Sequence, residues 1–268
     1  MIWAFKEKLD ISFLILIDLV ISLKLHILRF IYFGNEFQHD VSSSPKTIQV
    51  ISNGPSSTQH QDQIDVLLPT IFMNFGFEHE KFSECESAYL VVVDKKLATG
   101  EWQISMLMRA MERNPKVKIF LGGKLLSSPE LRAFAYKNKN VFFFFNDLST
   151  FTNKRPIKPV GDITIGGGAT EASIVLAVQL GAKIVKIFGF DGNNVLLGIL
   201  GQKTHFYGHD PIKNWSSAQF CARELRFLSY FLDKNVNLAE ILRHSGVRVI
   251  NMSSTSIMTM YGRQDDEI

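Results

Sequence analysis

Two histidines bracket a glycine in Thr204-His205-Phe206-Tyr207-Gly208-His209-Asp210, shortly after an apolar run that closes on Gly189-Phe190-Asp191. A neutral imidazole can accept a proton at physiological pH, which makes this segment a candidate for acid–base chemistry. Three readings stand side by side. His205 and His209 have the i, i+4 spacing of a helical metal pair, yet Gly208 and Asp210-Pro211 oppose a helix and no third ligand matches. The same pair could bond loop carbonyls and serve structure alone, or one of them could be a general base carried on a loop.

Two glycine-bearing turns accompany the histidines. Asn53-Gly54-Pro55-Ser56 follows the apolar run Ile48 to Ile51, and Gly166-Gly167-Gly168-Ala169-Thr170 opens a helical stretch. Successive glycines let a backbone turn sharply and approach a ligand, and the helix beyond them starts with free N–H groups that suit a phosphate. A plain strand-to-helix turn is written with the same residues. The run is neither a G-x-G-x-x-G fingerprint nor a Walker A sequence, since no Gly-Lys-Ser/Thr follows.

The elements that must hold these groups alternate along the chain. Apolar, β-rich runs occur at Ile48 to Ile51, Ile71 to Asn74, Tyr89 to Val93, Val117 to Leu121, Val141 to Phe145, Ile163 to Ile165, Ile184 to Phe190 and Val247 to Asn251. Helical spacing occupies Trp102 to Arg113, Pro129 to Lys137, Ala169 to Leu180 and Ser216 to Lys234. Ser128-Pro129-Glu130 supplies an N-cap, a first-turn proline and an early carboxylate. Strands that are apolar throughout, alternating with helices, predict an α/β fold: one Rossmann-like domain whose mostly parallel sheet of about seven or eight strands is flanked by helices. In such sheets ligands sit beyond the carboxyl ends of the strands. Asn53 follows the first run, Asn74 closes the second, Asp94 follows the third, Asp191 the seventh, and Ser253-Ser254 the last.

With 268 residues, 46% of them hydrophobic and 21% charged, the chain can bury one sizeable core. A net charge of +3 with no Lys/Arg block argues against a nucleic-acid partner. Cys85 and Cys221 lack metal or disulfide spacing and fit a reducing compartment. Ile11 to Phe33 is long and apolar enough to cross a bilayer, but Asp18, Ser22, His26 and Arg29 recur on one helical face. A helix lying in the membrane interface therefore competes with one that spans it. The expected organisation is a membrane-associating helix over 1–34, a polar linker over 35–46 containing Ser42-Ser43-Ser44-Pro45, and the α/β domain over 47–268. Homo-oligomerisation is left open.

From about Ile48 to Tyr261 the sequence resembles the bacterial lipooligosaccharide sialyltransferases of glycosyltransferase family 42. It is more distantly similar to the motility-associated glycosyltransferases and pterin pyrophosphokinase-like proteins. The family's N-G-P-S turn stands as Asn53-Gly54-Pro55-Ser56, and the asparagine closing its second strand as Asn74. Its small-residue helix start resembles Gly168-Ala169-Thr170, its A-x-x-L-G and G-x-D resemble Ala177 to Gly181 and Gly189-Phe190-Asp191, and its S-H-Y-x-G-H resembles Thr204 to His209. Its terminal serine loop resembles Ser253 to Ser256. The stretch from Asp191 to His209 is shorter than the family's lid, and Asn193, Asn194 and aliphatic residues stand where tyrosines follow the G-x-D. The arginine before the family's T-S-G is replaced by the glycine run.

The resemblance implies a metal-independent glycosyltransferase with no cofactor, moving a sialic-acid-like sugar from a cytidine monophosphate (CMP) conjugate to a glycan or lipid-linked acceptor. His209 would be the base, with His205 beside it. Asn53 and Asn74 would contact the nucleotide, and Ser253, Ser254 and Ser256 the phosphate. Gly54, Ser56, Gly167, Gly168, Thr170 and Asp191 complete the expected substrate-binding set. Residues 11–33 would hold the protein at a membrane with its domain on the cytoplasmic side. Two alternatives remain: an ATP-dependent diphosphotransferase using Asp94 and Asp191 for Mg²⁺, and a membrane-tethered binding protein without turnover.

Overall fold

A computed structural model describes residues 46–144, 168–207 and 215–263. Eight parallel strands are described: β1 (Thr47–Ile51), β2 (Thr70–Met73), β3 (Ala88–Val92), β4 (Lys118–Gly122), β5 (Val141–Phe144), β6 (Ile184–Phe188), β7 (Arg248–Asn251) and β8 (Gly262–Arg263). Six α-helices accompany them: α1 (Ser56–Gln59), α2 (Ser105–Arg113), α3 (Pro129–Lys137), α4 (Ala169–Gln179), α5 (Asn194–Ile199) and α6 (Ala218–His244).

The strand order is β5-β4-β3-β2-β1-β6-β7-β8, and every neighbouring pair is parallel. The chain lays down β1 to β5 in one direction, then crosses back to place β6 on the free side of β1. That reversal makes β1 and β6 the switch point of the sheet, and the carboxyl ends of strands at such a point are where parallel sheets bind ligands.

Alternation along each strand explains the two-sided core. Ile48 and Val50 face a cluster that includes Ala172 and Leu176 of α4 and Leu238 and Leu242 of α6. Ile51 faces the other way, with Phe72, Leu90 and Leu107 of α2. Because both faces are covered, the strands read as unbroken apolar runs. Gln49 is the polar exception; its amide donates to Asp65 O and Thr70 Oγ1 and its oxygen accepts from Asp65 N, so nothing in it is left unmet. At α3, Ser128 Oγ accepts from Leu131 N at 3.3 Å, the cap expected from Ser128-Pro129-Glu130.

Three expectations change. Helix α6 runs on to His244 instead of stopping near Lys234, because Asn235, Leu238, Ala239 and Leu242 continue a buried stripe. Helices α1 and α5 and strand β8 were not anticipated. The run Ile163 to Ile165 and the apolar segment 11–33, with its predicted N-terminal helix and linker, lie outside the described residues. Among the described residues no helix is long and apolar enough to cross a membrane.

Candidate functional site

The site begins where β1 and β6 end. Gly54 N donates to Gly189 O at 3.0 Å, which extends the β1–β6 ladder into the two loops. A Cβ on Gly54 would lie 2.3 Å from Gly189 O and 2.5 Å from Asp191 Oδ2, so the loops meet too closely for a side chain. Gly189 has φ +70, and a Cβ there would lie 2.7 Å from Ser52 O. The Asn53-Gly54 and Gly189-Phe190-Asp191 motifs are therefore two halves of one junction.

Asp191 ties that junction together. Its Oδ2 accepts from Ser56 N at 3.1 Å, and its Oδ1 accepts from Ser253 Oγ at 2.7 Å and from Ser56 Oγ. The residue is buried, and its two oxygens serve three donors, from the loops after β1 and β7. Ser256 is similarly occupied: Oγ donates to Phe190 O at 2.6 Å and accepts from Asn251 Nδ2 and Met258 N. Ser254, by contrast, is exposed. Asp191, Ser56, Ser253 and Ser256 thus converge as the sequence suggests, but their hydrogen bonds join strand ends to one another.

The atoms left for a ligand lie beside this knot. Asn53 is 8% exposed, yet its Oδ1 is buried with no partner among the described residues. Thr204 is 2% exposed with an unpartnered Oγ1. Phe206 N donates to Asn53 O at 2.9 Å, so the segment carrying Thr204 and His205 is bonded to the end of β1. Asn193 Oδ1, just after β6, is also buried and unpartnered. Asn74 closes β2 with φ +50, a left-handed backbone uncommon outside glycine, and its Oδ1 is again unpartnered. Four buried acceptor or hydroxyl oxygens at one sheet edge, without partners among the described residues, are costly unless a ligand or water meets them.

Sequence reasoning missed His79. It is 1% exposed, and Nδ1 accepts from Lys81 N at 3.2 Å, so the neutral ring carries its proton on Nε2. Burial lowers its pKa and keeps it neutral. Its ring meets Phe206 edge-on with centroids 5.4 Å apart, a contact with the segment that carries His205. A single histidine in a short turn carries no pattern that would have revealed this.

The start of α4 departs from the expected phosphate seat. Thr170 Oγ1 shares a 2.8 Å hydrogen bond with Ser52 Oγ, tying the helix to β1. Glu171, however, is buried beneath Gly168, with its Oε2 2.8 Å from where a Gly168 Cβ would stand. Desolvation raises its pKa, and the hydrogen bond from Asn235 opposes that shift. Glu171 Oε2 is buried at the helix start with no partner among the described residues. Asn235 Nδ2 donates to Glu171 Oε1 at 2.6 Å and Tyr261 OH donates to Asn235 Oδ1 at 2.7 Å, a buried chain that links α4, α6 and the segment before β8 on one face of the sheet.

His205 lies part-buried beside Tyr207 in this arrangement. His209 and Gly167 lie outside the described residues. Among the described residues no group of three or more His, Cys, Asp or Glu could hold a metal ion. A cleft of about 490 Å³ lined by Arg243, Arg248 and Tyr261 lies beside the start of β7, away from these strand ends.

No family model and no curated protein matches the sequence. Solved structures do. The monofunctional α-2,3-sialyltransferase Cst-I of Campylobacter jejuni is 13% identical over 85% of this chain and 82% of its own, with a TM-score of 0.50. The sialyltransferase CstII of the same organism, solved with the substrate analogue CMP-3FNeuAc, is 12% identical over 82% of this chain and 85% of its own, with a TM-score of 0.48. A Maf glycosyltransferase from Magnetospirillum magneticum AMB-1 is 12% identical over 86% of this chain and 35% of its own, with a TM-score of 0.48. These are the groups that the sequence motifs resemble, and the likeness to Cst-I establishes a shared fold.

Proposed function

We propose that the chain is a glycosyltransferase that moves a sialic-acid-like sugar from a CMP conjugate to a glycan or lipid-linked acceptor. The observation that carries this reading is the β1/β6 junction, where Asn53 Oδ1 and Thr204 Oγ1 are buried without partners among the described residues on two mutually bonded segments. Such groups recognise a polar ligand by its hydrogen-bonding pattern, and a buried site built this way discriminates strongly against ligands that leave it unmet. Support also comes from the family motifs at Asn53, Asn74 and Thr204 to His209 and from the fold shared with Cst-I.

In this reading His209 takes the acceptor hydroxyl proton, with His205 holding the segment. Asn53 and Asn74 contact the donor, and Ser254 is the exposed member of the serine loop. Ser253, Ser256 and Asp191 position the strand ends rather than the phosphate, as their internal bonds require. The diphosphotransferase alternative needs Asp94 and Asp191 for Mg²⁺. Asp191 is engaged by three donors, and Asp94 Oδ1 caps a turn by accepting from Lys96 N at 3.0 Å. Residues 1–34 would tether the domain 47–268 to a membrane through the linker 35–46, with the domain cytoplasmic.

Titration calorimetry on the full chain with CMP and with ATP, each with and without Mg²⁺, tests the assignment. CMP binding without metal is the expected result. Preference for ATP with Mg²⁺, or binding of neither by folded protein, overturns it.

A further inference from the structure

An aromatic shelf runs outward from Asn74. The ring of Phe75 lies 4.8 Å from Trp102, edge-on, and 5.7 Å from Tyr207 between centroids. Tyr207 stacks on His205 at 5.0 Å with planes 17° apart. Lys96 Nζ lies 5.7 Å from the centroid of Trp102. The shelf is drawn from three places in the chain: the turn after β2, the loop after β3 and the segment after α5.

Core packing accounts for only part of it: Phe75 and Trp102 rest against the cluster that includes Phe77, Phe82 and Leu107. Phe77 and Phe82 in the neighbouring turns are 0% exposed, whereas Tyr207 is 40% exposed and Phe75, Trp102 and His205 are only part-buried. Their uncovered parts present apolar faces beside an imidazole, a phenol and an ammonium group. That combination fits a pyranose, which has an apolar face of C–H bonds and hydroxyls around its rim.

The shelf is also joined to the β1/β6 junction. Phe75 follows Asn74, whose strained backbone sets the direction in which the ring leaves the sheet. Phe206, between His205 and Tyr207, donates its N–H to Asn53 O at 2.9 Å. Both residues assigned to the donor are thus one or two bonded steps from the shelf.

We infer that the shelf seats the acceptor as the terminal pyranose of a glycan, stacked against its exposed aromatic faces. The inference rests on the glycosyltransferase reading, and it supplies the partner that reading needs. The acceptor hydroxyl oxygen bonds to the anomeric carbon of the donor sugar as the bond from that carbon to the CMP phosphate oxygen breaks. CMP leaves with the electron pair, and the hydroxyl proton passes to the general base.

Saturation-transfer NMR on the full chain tests this, with lactose and the methyl glycosides of galactose, glucose, mannose and N-acetylglucosamine as probes, each with and without CMP. At least one probe is expected to receive saturation, and that signal should fall about fivefold or more in Tyr207→Ala and Trp102→Ala, the scale of a lost aromatic stack. Tyr136→Ala, which removes a 93% exposed tyrosine on α3, should leave it unchanged, as CMP affinity should be in all three variants. If Trp102→Ala does not fold, the exposed Tyr207 position decides. No contact from any probe, or contact undiminished by Tyr207→Ala, overturns the shelf. Glycan contact that depends on Tyr207 in a protein that fails to bind CMP removes the donor assignment and leaves the shelf standing.

Discussion

Asp191 Oδ1 accepts a hydrogen bond from Ser253 Oγ at 2.7 Å, joining the ends of β6 and β7. Through Oδ2 and Ser56 N the same carboxylate reaches the end of β1. Asp191→Ala should therefore cost about 3 kcal/mol of stability, since it strands buried donors. Asp191→Asn should recover part of it, because its amide oxygen still accepts. Urea unfolding of the two variants checks this, and a loss within error of zero for Asp191→Ala would show that the loops are held by other bonds.

Gly54→Ala should destabilise by about 3 kcal/mol, near the upper end for overpacking, because the nearest atom to its Cβ would be a backbone oxygen that cannot rotate away. Gly100→Ala makes the control for local crowding: nothing lies within 4 Å of its Cβ, so only its φ of +80 opposes the change. Thermal melts in which Gly54→Ala is no worse than Gly100→Ala would contradict the close approach of β1 and β6.

Glu171→Gln should stabilise the fold increasingly as pH rises. Burial raises the folded carboxyl above its ordinary 4.5, so the folded protein holds that proton more tightly than the unfolded chain does. The stability so gained is complete below about 4.5 and is lost as pH climbs through the folded value; glutamine never ionises and does not follow. Paired urea titrations from about pH 4 to 8 measure the difference. A difference flat with pH would place the ionisation elsewhere.

Asn74→Gly should change stability by less than about 1 kcal/mol, since relief of the left-handed backbone offsets the added chain entropy. If the carboxamide contacts the donor, transfer should nonetheless fall about tenfold or more. Equal activity in the variant and the parent would make the strained asparagine a feature of the turn alone.

His209→Ala should slow transfer by about 10² to 10⁴ while preserving stability and CMP affinity. His205→Ala should have a smaller effect, through the Tyr207 ring that stacks on it. Were the two effects exchanged in a steady-state assay, the base would be His205.

The parallel sheet was legible because strands covered on both faces leave continuous apolar runs, and β1 to β7 all lie on or within a residue or two of such runs. The meeting of Asn53, Asp191 and Ser253 was legible too, from the rule that such strands end on one edge. What each hydroxyl would do there was not. Ser253 and Ser254 are adjacent and chemically alike, yet one is buried against Asp191 and the other is exposed. The difference depends on a carboxylate 62 positions away, which no local pattern encodes. The extension of α6 was hidden for a related reason: Asn235 looks like a helix end but is buried in hydrogen bonds to Glu171 and Tyr261.

The placement of β1 has a consequence for synthesis. β1 pairs with β2 as soon as both have left the ribosome, but its other edge waits for β6, where Thr47 meets Ile184. Until then a growing chain carries a half-sheet with an open apolar edge and unpaired backbone groups, the surface that invites wrong strand pairing. Closure of β6 onto β1 is the long-range step that should limit the folding rate. The junction that carries the proposed site is made in that same step, so on that reading a nascent chain short of Phe188 has no site to occupy, and a ligand favours folding only after that closure.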